Sequence, residues 1–147
     1  MHPVRGFTLV ELVVILIVLG ILAVFAMPRF AGREPFDARA FHDSTLAALR
    51  YAQKTAIAQR RPVCVSFSAN SLTLSIAENF AGDCDTPLYR PDKPEQPYTL
   101  TAAAQAVFSP VPGNFSFQPS GDASARQEIR VQDRPLPIIV EALGYVH

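Results

Sequence analysis

The segment "GFTLVELVVILIVLGILAVFAMP", residues 6–28, decides how the chain is organised. Within the range Phe7–Met27, only Thr8, Glu11 and Gly20 interrupt the apolar residues. A helix over this range would be about 31 Å long, enough to cross the hydrocarbon core of a bilayer. An acidic side chain at the centre of such a helix costs about 2.5–3.5 kcal/mol even on the lenient insertion scale. The position of Glu11 therefore needs a functional explanation.

Charge is distributed unevenly along the rest of the chain, although the formal net charge of the whole protein is zero. Residues 28–61 hold seven Lys or Arg against three Asp or Glu, whereas residues 62–147 hold five against nine. The part with the composition of a globular domain is thus acidic. Because an acidic surface repels phosphates, nucleic acid is not expected as a partner.

The apolar stretch admits three interpretations: a plain membrane anchor, a cleaved secretory signal, or a more specialised segment. Arg5 before the stretch and the small residue Ala26 at its end are typical of a secretory signal. An acid inside the apolar region opposes that interpretation. A plain anchor explains the length of the stretch but leaves Glu11 unexplained.

The third interpretation begins at Gly6, because Gly6 and the following "FTLVEL" resemble the prepilin N-terminus of type IV pilins and type II secretion pseudopilins. The resemblance implies that residues 1–6 are a leader and that a prepilin peptidase cuts between Gly6 and Phe7 and methylates the new amine of Phe7. It also gives Pro28 the place of the proline that kinks the helix in many family members. A proline there removes a backbone donor and crowds the preceding turn.

The same resemblance gives Glu11 an assembly role. A carboxylate buried in lipid is costly alone and much less so when it is paired. The amine that cleavage would leave on Phe7 lies four residues from Glu11, close enough to interact on one helical face. The amine of a neighbouring subunit could pair with Glu11 equally well. Pairing would then set the register of subunits in a filament.

After Pro28 a second amphipathic helix is predicted from about Asp37 to Arg60. Its apolar face at spacings of three and four residues contains Phe41, Thr45, Leu49, Ala52, Ala56 and Ile57. The predicted domain organisation is a leader at 1–6, a transmembrane and assembly helix at 7–27, the periplasmic half of the long helix at 28–61, and a globular β-rich domain at 62–147.

Beyond Arg61 the hydrophobic period changes to two. The segments "VCVSFS" (63–68) and "LTLSIA" (72–77) alternate apolar with small or polar residues and predict a hairpin. Four prolines between residues 78 and 97 predict an irregular loop. Further strands are predicted at Tyr98–Thr101, Phe115–Gln118, Glu128–Gln132 and Pro137–Ala142.

The fold class expected from these patterns is α+β, with a long N-terminal helix packed against a small antiparallel sheet. In a type IV pilin-like fold of this kind, the first half of the helix spans the membrane and the helix is kinked at Pro28.

Cys64 and Cys84 are the two cysteines of the chain. No third or fourth cysteine is available and no histidine lies near them in sequence, so a structural zinc site is not expected. If the domain is exported, a disulfide between them is the expected state, and it would contribute about 3 kcal/mol. Free buried thiols are the alternative.

No residue or motif in the sequence clearly indicates catalytic chemistry. The three histidines, His2, His42 and His147, do not form a pair with metal-ligand spacing, and neither H-E-x-x-H nor G-x-S-x-G occurs. We therefore expect no enzyme activity, no catalytic residue, no metal and no cofactor.

The segments "LAALRYAQKTAIAQRRPVCVSF" (46–67), "FQPSGDA" (117–123) and "ALGYVH" (142–147) are similar to the GspH/FimT-like minor pilins. The resemblance is closest to a minor prepilin of a mannose-sensitive haemagglutinin (MSHA) type pilus. It implies a structural subunit of the bacterial inner membrane that crosses it once, with its N-terminus cytoplasmic and its C-terminal domain periplasmic. The subunit is then built into a filament, at its tip or as a primer.

The partners implied are prepilin peptidase, other pilin or pseudopilin subunits, an inner-membrane platform protein and membrane lipid. Three alternatives remain open: an H-type minor pseudopilin of type II secretion, a DNA-binding minor pilin of an uptake machinery, and a signal-cleaved periplasmic domain. Some DNA-binding members end in Gly-Arg-x-Arg, whereas residues 144–147 here read "GYVH" and contain no arginine.

Overall fold

The structure is a computed structural model. It describes residues 8–26, 34–80, 82–103 and 106–147. The chain divides into two compact units, Met1–Arg33 and Glu34–His147. The predicted cleavage site between Gly6 and Phe7 and the predicted kink at Pro28 lie outside the described residues.

The first unit contains helix α1, Leu9–Ala26, with 18 residues. Leucine, isoleucine and valine surround this helix rather than forming one stripe, and Glu11 in its first turn is its one charged residue. All described side chains of this unit, at residues 8–22, are exposed within the chain. Within the described part of the protein, no helix combines the length and apolar content needed to cross a membrane.

The second unit begins with helix α2, Glu34–Gln59, with 26 residues. The helix starts about three residues before the predicted Asp37, because a proline such as Pro35 is tolerated in the first turn, where its missing N–H has no helical partner. It ends at Gln59 and is followed by Arg60, whose φ of 51° is left-handed, as is common after a helix C-terminus.

The buried face of α2 confirms five of the six predicted positions: Phe41, Thr45, Leu49, Ala52 and Ala56 are buried. The prediction for Ile57 was wrong, since 48% of this residue is exposed. The step of one residue from Ala56 rotates Ile57 by about 100° around the helix, away from the buried stripe.

The main sheet has five antiparallel strands, and β1 lies between β2 and β5. Two short strands, β3 and β4, pair with successive parts of the other edge of β2. The bounds are β1 Val63–Phe67, β2 Ser71–Ile76, β3 Thr86–Pro87, β4 Thr99–Thr101 and β5 Phe115–Phe117. The predicted hairpin is confirmed, whereas β3 lies in the segment predicted to be irregular throughout. Its Pro87 is compatible with pairing because an edge strand leaves one side of its backbone unpaired.

A second sheet is formed by β6, Gln127–Ile129, and β7, Ile138–Val140. The end of the chain runs back along β7, where the N–H of Ile139 donates to the carbonyl of His147 at 2.8 Å and the N–H of His147 donates back at 3.0 Å. The expected antiparallel β-structure is confirmed, and its division into two sheets is a detail that was not predicted. Sequence periodicity predicts that a strand exists but not which strand it pairs with.

The core of the second unit lies between the buried face of α2 and the inner faces of the sheets. Leu49 of α2, Val65 of β1, Leu74 of β2 and Phe117 of β5 have no solvent-exposed surface. Burial of such a side chain contributes about 1.5–3 kcal/mol relative to exposure. This packing fixes the sheet on one side of α2 and leaves the opposite side of the helix exposed.

Candidate assembly surface

The first turn of α1 presents a carboxylate in an apolar surface. Thr8 precedes the helix, and its Oγ1 accepts a hydrogen bond from the backbone N–H of Glu11 at 3.3 Å. The N–H of Leu12 donates to the Thr8 carbonyl at 3.2 Å, the first bond of the helical ladder. Thr8 is thus the N-cap of α1, and Glu11 is its third helical residue.

An acidic side chain at this helical position is favourable because the helix dipole places partial positive charge at the N-terminus. Among the described residues, the Glu11 carboxylate makes no hydrogen bond and no ion pair. The site can therefore accept a cation supplied by a residue outside the described chain or by another molecule.

The side chains around Glu11 are large, apolar and exposed. Leu9 is 79% exposed and Leu12 is 55% exposed, and the pattern continues to Leu22 at 57%. Gly20 interrupts this surface, and a Cβ placed on it would meet no atom within 4 Å. An exposed apolar surface of this extent marks a site of contact with protein or membrane.

In the second unit, a disulfide joins Cys64 of β1 to Cys84, with a Cα–Cα distance of 6.0 Å. The expectation of a disulfide is confirmed. The bond fastens the segment after β2 to the central strand of the main sheet. It leaves no free thiol on either cysteine, so neither can act as a nucleophile or a metal ligand.

The β3–β4 connection is fixed against α2 by stacked side chains. The rings of Tyr51 and Tyr98 stack with centroids 5.3 Å apart, and the Arg90 guanidinium lies 5.7 Å from the centroid of the Tyr98 ring. Arg90 also donates two hydrogen bonds to Asp92, at 3.0 and 3.1 Å. These bonds hold the pKa of Asp92 below its ordinary value of 3.8, and partial burial raises the pKa of Tyr98.

Two histidines, His42 and His147, lie in the described part of the chain, and they contact different residues. The Nδ1 of His42 lies 3.1 Å from an oxygen of Asp43, and this hydrogen bond is the main cause that lowers the pKa of Asp43. The ring of His147 lies against that of Tyr145 in a tilted arrangement, with centroids 5.0 Å apart and an interplanar angle of 33°. Among the described residues no cluster of three or more potential metal ligands occurs.

An open groove of about 960 Å³ lies beside the C-terminal end of α2. The disulfide lies in its wall together with apolar side chains, and the remaining lining is polar. Its lining residues are Ile57, Arg60, Pro62, Cys64, Phe80, Gly82, Asp83, Cys84, Ser116, Gln118, Pro119 and Ser120. The hydroxyl of Ser120 donates to Asp122 at 2.8 Å, and no histidine is among these lining residues. The arrangement does not assemble a nucleophile with a base.

Sequence reasoning missed the side chains that attach the end of the chain and the turn after β5 to α2. The guanidinium of Arg50 donates to the carbonyl of Val146 at 3.3 and 3.4 Å, and Gln53 Nε2 donates to the carbonyl of Gly121 at 3.0 Å. No local pattern signals contacts between residues so distant in sequence. The Thr8 cap was also missed, although Thr8-x-x-Glu11 followed by an apolar run is a recognised helix-start signal.

Comparison with protein families gives two matches, one for each end of the chain. Residues 43–144 match the family described as "Type II transport protein GspH". Residues 1–27 match the "Prokaryotic N-terminal methylation motif".

One curated relative is the "Type IV narrow pilus major component PilA5" of Thermus thermophilus. It is 40% identical over 68 residues, which cover 45% of this chain and 59% of the relative. The match thus spans less than two thirds of the length of that relative.

Among solved structures, the fold is similar to two crystal forms of the type IV minor pilin FimU from Pseudomonas aeruginosa PAO1. The P21 form aligns with a TM-score of 0.57 and 15% identity, over 78% of this chain and 90% of FimU. The P65 form aligns with a TM-score of 0.54 and 14% identity, over 74% and 90%. The predicted fold, a helix with an antiparallel sheet of the minor-pilin type, is confirmed.

Proposed function

This chain belongs to the GspH family of type IV pilin-like proteins, the minor pilins and pseudopilins, and on that premise we propose that it is a structural subunit of a filament. Structural roles are the rule in this family, so the proposed role is assembly rather than catalysis. The filament is a type IV pilus, in which the subunit lies at the tip or primes growth.

The observation that carries the proposal is the position of Glu11. It is the one charge in the first helix, it lies in the first turn, and large apolar side chains surround it. If α1 packs laterally among other subunits, this carboxylate enters an apolar environment. There an unpaired charge costs several kcal/mol, whereas a paired charge costs much less.

The partner charge in this proposal is the amine produced by processing. Prepilin peptidase cuts between Gly6 and Phe7 and methylates the amine of Phe7, which is then available to Glu11 of the same or a neighbouring subunit. The match of residues 1–27 to the methylation motif supports this step. When the pair forms between neighbouring subunits, docking in the wrong register would leave both charges unpaired, so the intersubunit pair selects the correct register.

Before assembly, residues 7–27 anchor the subunit in the bacterial inner membrane, crossing it once. The leader with Arg5 stays in the cytoplasm, and residues 34–147 lie in the periplasm. The disulfide between Cys64 and Cys84 supports this orientation, because the periplasm is oxidising and the cytoplasm is not. An inner-membrane platform protein then takes the subunit from the lipid into the filament.

A second candidate is an H-type minor pseudopilin of type II secretion, in which the filament drives export. The observation in its favour is the match to a family described as a type II transport protein. DNA uptake is disfavoured because residues 62–147 hold five Lys or Arg against nine Asp or Glu, an acidic balance that repels phosphates.

The test is incorporation of full-length variants into filaments in cells that assemble them. Glu11→Ala is compared with Glu11→Asp, which keeps the charge, and with Glu95→Ala, which removes an exposed acid from the globular unit. We expect Glu11→Ala to insert and lose its leader normally but to be recovered in sheared filaments about tenfold less than the native chain, a loss of about 1.4 kcal/mol. Glu95→Ala should assemble normally.

Normal recovery of Glu11→Ala in filaments would overturn the assembly role of the carboxylate. Which filament fails when the gene is deleted, a pilus or the secretion apparatus, separates the two candidate systems. Retardation of labelled duplex DNA by the purified protein at physiological salt would reinstate the uptake machinery.

A further inference from the structure

The hydrogen bond between Thr8 and Glu11 uses the backbone of Glu11 and leaves its carboxylate unused. The Oγ1 of Thr8 accepts from the Glu11 N–H at 3.3 Å, while the Thr8 carbonyl accepts from the Leu12 N–H at 3.2 Å. In a complete capping box, a glutamate at this position would return the bond, with its carboxylate accepting from the N–H of the capping residue. Within the described residues this return bond is not made.

In an apolar environment it matters whether the Thr8 hydroxyl or the Glu11 carboxylate binds the N–H groups of the first turn. The first N–H groups of a helix have no partner within the helix, and lipid provides no water to satisfy them. Each unsatisfied group there costs several kcal/mol. Two side chains near the start of α1 carry acceptors that can reach these groups, the hydroxyl of Thr8 and the carboxylate of Glu11. Whichever binds the backbone is less available for other partners.

We infer that Thr8 is a positioning residue for Glu11: its hydroxyl caps the Glu11 N–H and thereby leaves the carboxylate available to the amine of a processed N-terminus. The inference rests on the proposed function, since it assumes that the carboxylate pairs with such an amine. Without the hydroxyl, the carboxylate is the remaining acceptor for the first-turn N–H groups. It would turn back onto its own helix and bind the neighbouring amine less often.

Two substitutions isolate the acceptor atom. Thr8→Val has the same shape as threonine but no acceptor, whereas Thr8→Ser keeps the hydroxyl and loses the methyl group. Both variants leave Glu11 in place. Glu11→Gln, which removes the charge and keeps the shape, tests the assembly role of the carboxylate separately.

Two measurements are made on each full-length variant. The first is hydrogen exchange of the Glu11 amide in the detergent-solubilised protein. The second is the fraction of processed chains recovered in sheared filaments, with the N-terminal peptide mass used to count processed chains alone. We expect Thr8→Val to speed exchange of the Glu11 amide about fivefold, the factor for a cap of about 1 kcal/mol. Its incorporation should fall, and Thr8→Ser should restore both values.

Each result decides one statement. Unchanged exchange of the Glu11 amide in Thr8→Val would overturn the cap. Faster exchange with undiminished incorporation, or a Thr8→Ser variant that fails to restore incorporation, would overturn the positioning role. Incorporation of Glu11→Gln at the native level would overturn the assembly role of the Glu11 carboxylate, and absence of the native chain itself from filaments would overturn the proposed function; both results are read independently of Thr8.

Discussion

Gly144 lies directly against Gly121: a Cβ added to Gly144 would come within 1.8 Å of the Gly121 carbonyl oxygen. The φ of Gly144 is +83°, a left-handed backbone conformation that residues other than glycine adopt only at an energetic cost. The same Gly121 carbonyl accepts the bond from Gln53 of α2. This backbone contact therefore joins the end of the chain, the turn after β5 and the helix.

Gly144→Ala should consequently destabilise the second unit, because the backbone of Gly121 cannot move away without losing its bond to Gln53. We expect a loss of about 2–4 kcal/mol from steric overlap and strain together, measured by urea denaturation of the full-length protein in detergent. Gly113→Ala is the control, since its nearest neighbour would be a Gln127 side-chain atom at 3.7 Å. Equal stability of the two variants would contradict the close contact.

The disulfide between Cys64 and Cys84 closes a loop with a sequence separation of 20. Replacing both cysteines by serine should lower the free energy of unfolding by about 3 kcal/mol, mainly because the unfolded chain gains freedom. Urea denaturation with and without reductant measures this. Reductant should lower the stability of the native chain and leave that of the double variant unchanged. An effect of reductant on the double variant would point to another cause.

The different burial of two residues on α2 predicts that Leu49→Ala destabilises the protein more than Ile57→Ala does. Leu49 is fully buried, and Leu49→Ala should cost about 2–5 kcal/mol through lost burial and the cavity left behind. Ile57 is 48% exposed, so Ile57→Ala should cost about 1 kcal/mol or less. Thermal unfolding of both variants provides the comparison. A similar cost at both positions would contradict the orientation of the helix.

The lowered pKa of Asp92 predicts that the stability contributed by its pair with Arg90 depends on pH. Its hydrogen bonds from Arg90 lower its pKa in the folded protein relative to the value of 3.8 in an unfolded chain. The stability from this pair is therefore fully present above the unfolded pKa and is lost as the pH falls through the lower folded pKa. NMR titration of the Asp92 carboxyl carbon should show the lowered pKa, and Arg90→Gln should bring it back toward 3.8. Asp43, whose pKa is lowered mainly by His42, should not respond.

The local elements were predictable because each leaves a periodic signal in its own residues. Val63, Val65 and Phe67 alternate with small or polar residues, and they form β1 as predicted. Phe41 and Leu49 recur at helical spacing, and they lie on the buried face of α2. The prediction that Ile57 is buried was wrong because a residue at the edge of an apolar stripe can point either into the core or toward solvent.

The parts that could not be predicted depend on contacts between distant residues. Thr86 and Pro87 form a strand only because β2 offers them an edge at Ser75 and Ile76. The return of the chain end along β7, and its attachment to Arg50, likewise have no local signal. The N-terminal site likewise has one part that the sequence predicts and one part that it does not. Thr8-x-x-Glu11 signals the helix start from the sequence, whereas the partner of the Glu11 carboxylate is a matter of assembly.

The central claim is that Glu11 is neutralised by an amine that exists only after the leader is removed. The most direct measurement is the mass of the N-terminal peptide of chains recovered from purified filaments. The account predicts a single species that begins at Phe7 and carries a methylated amine. Filaments whose subunits still contain residues 1–6 would contradict it, because the amine of Phe7 would then be part of a peptide bond.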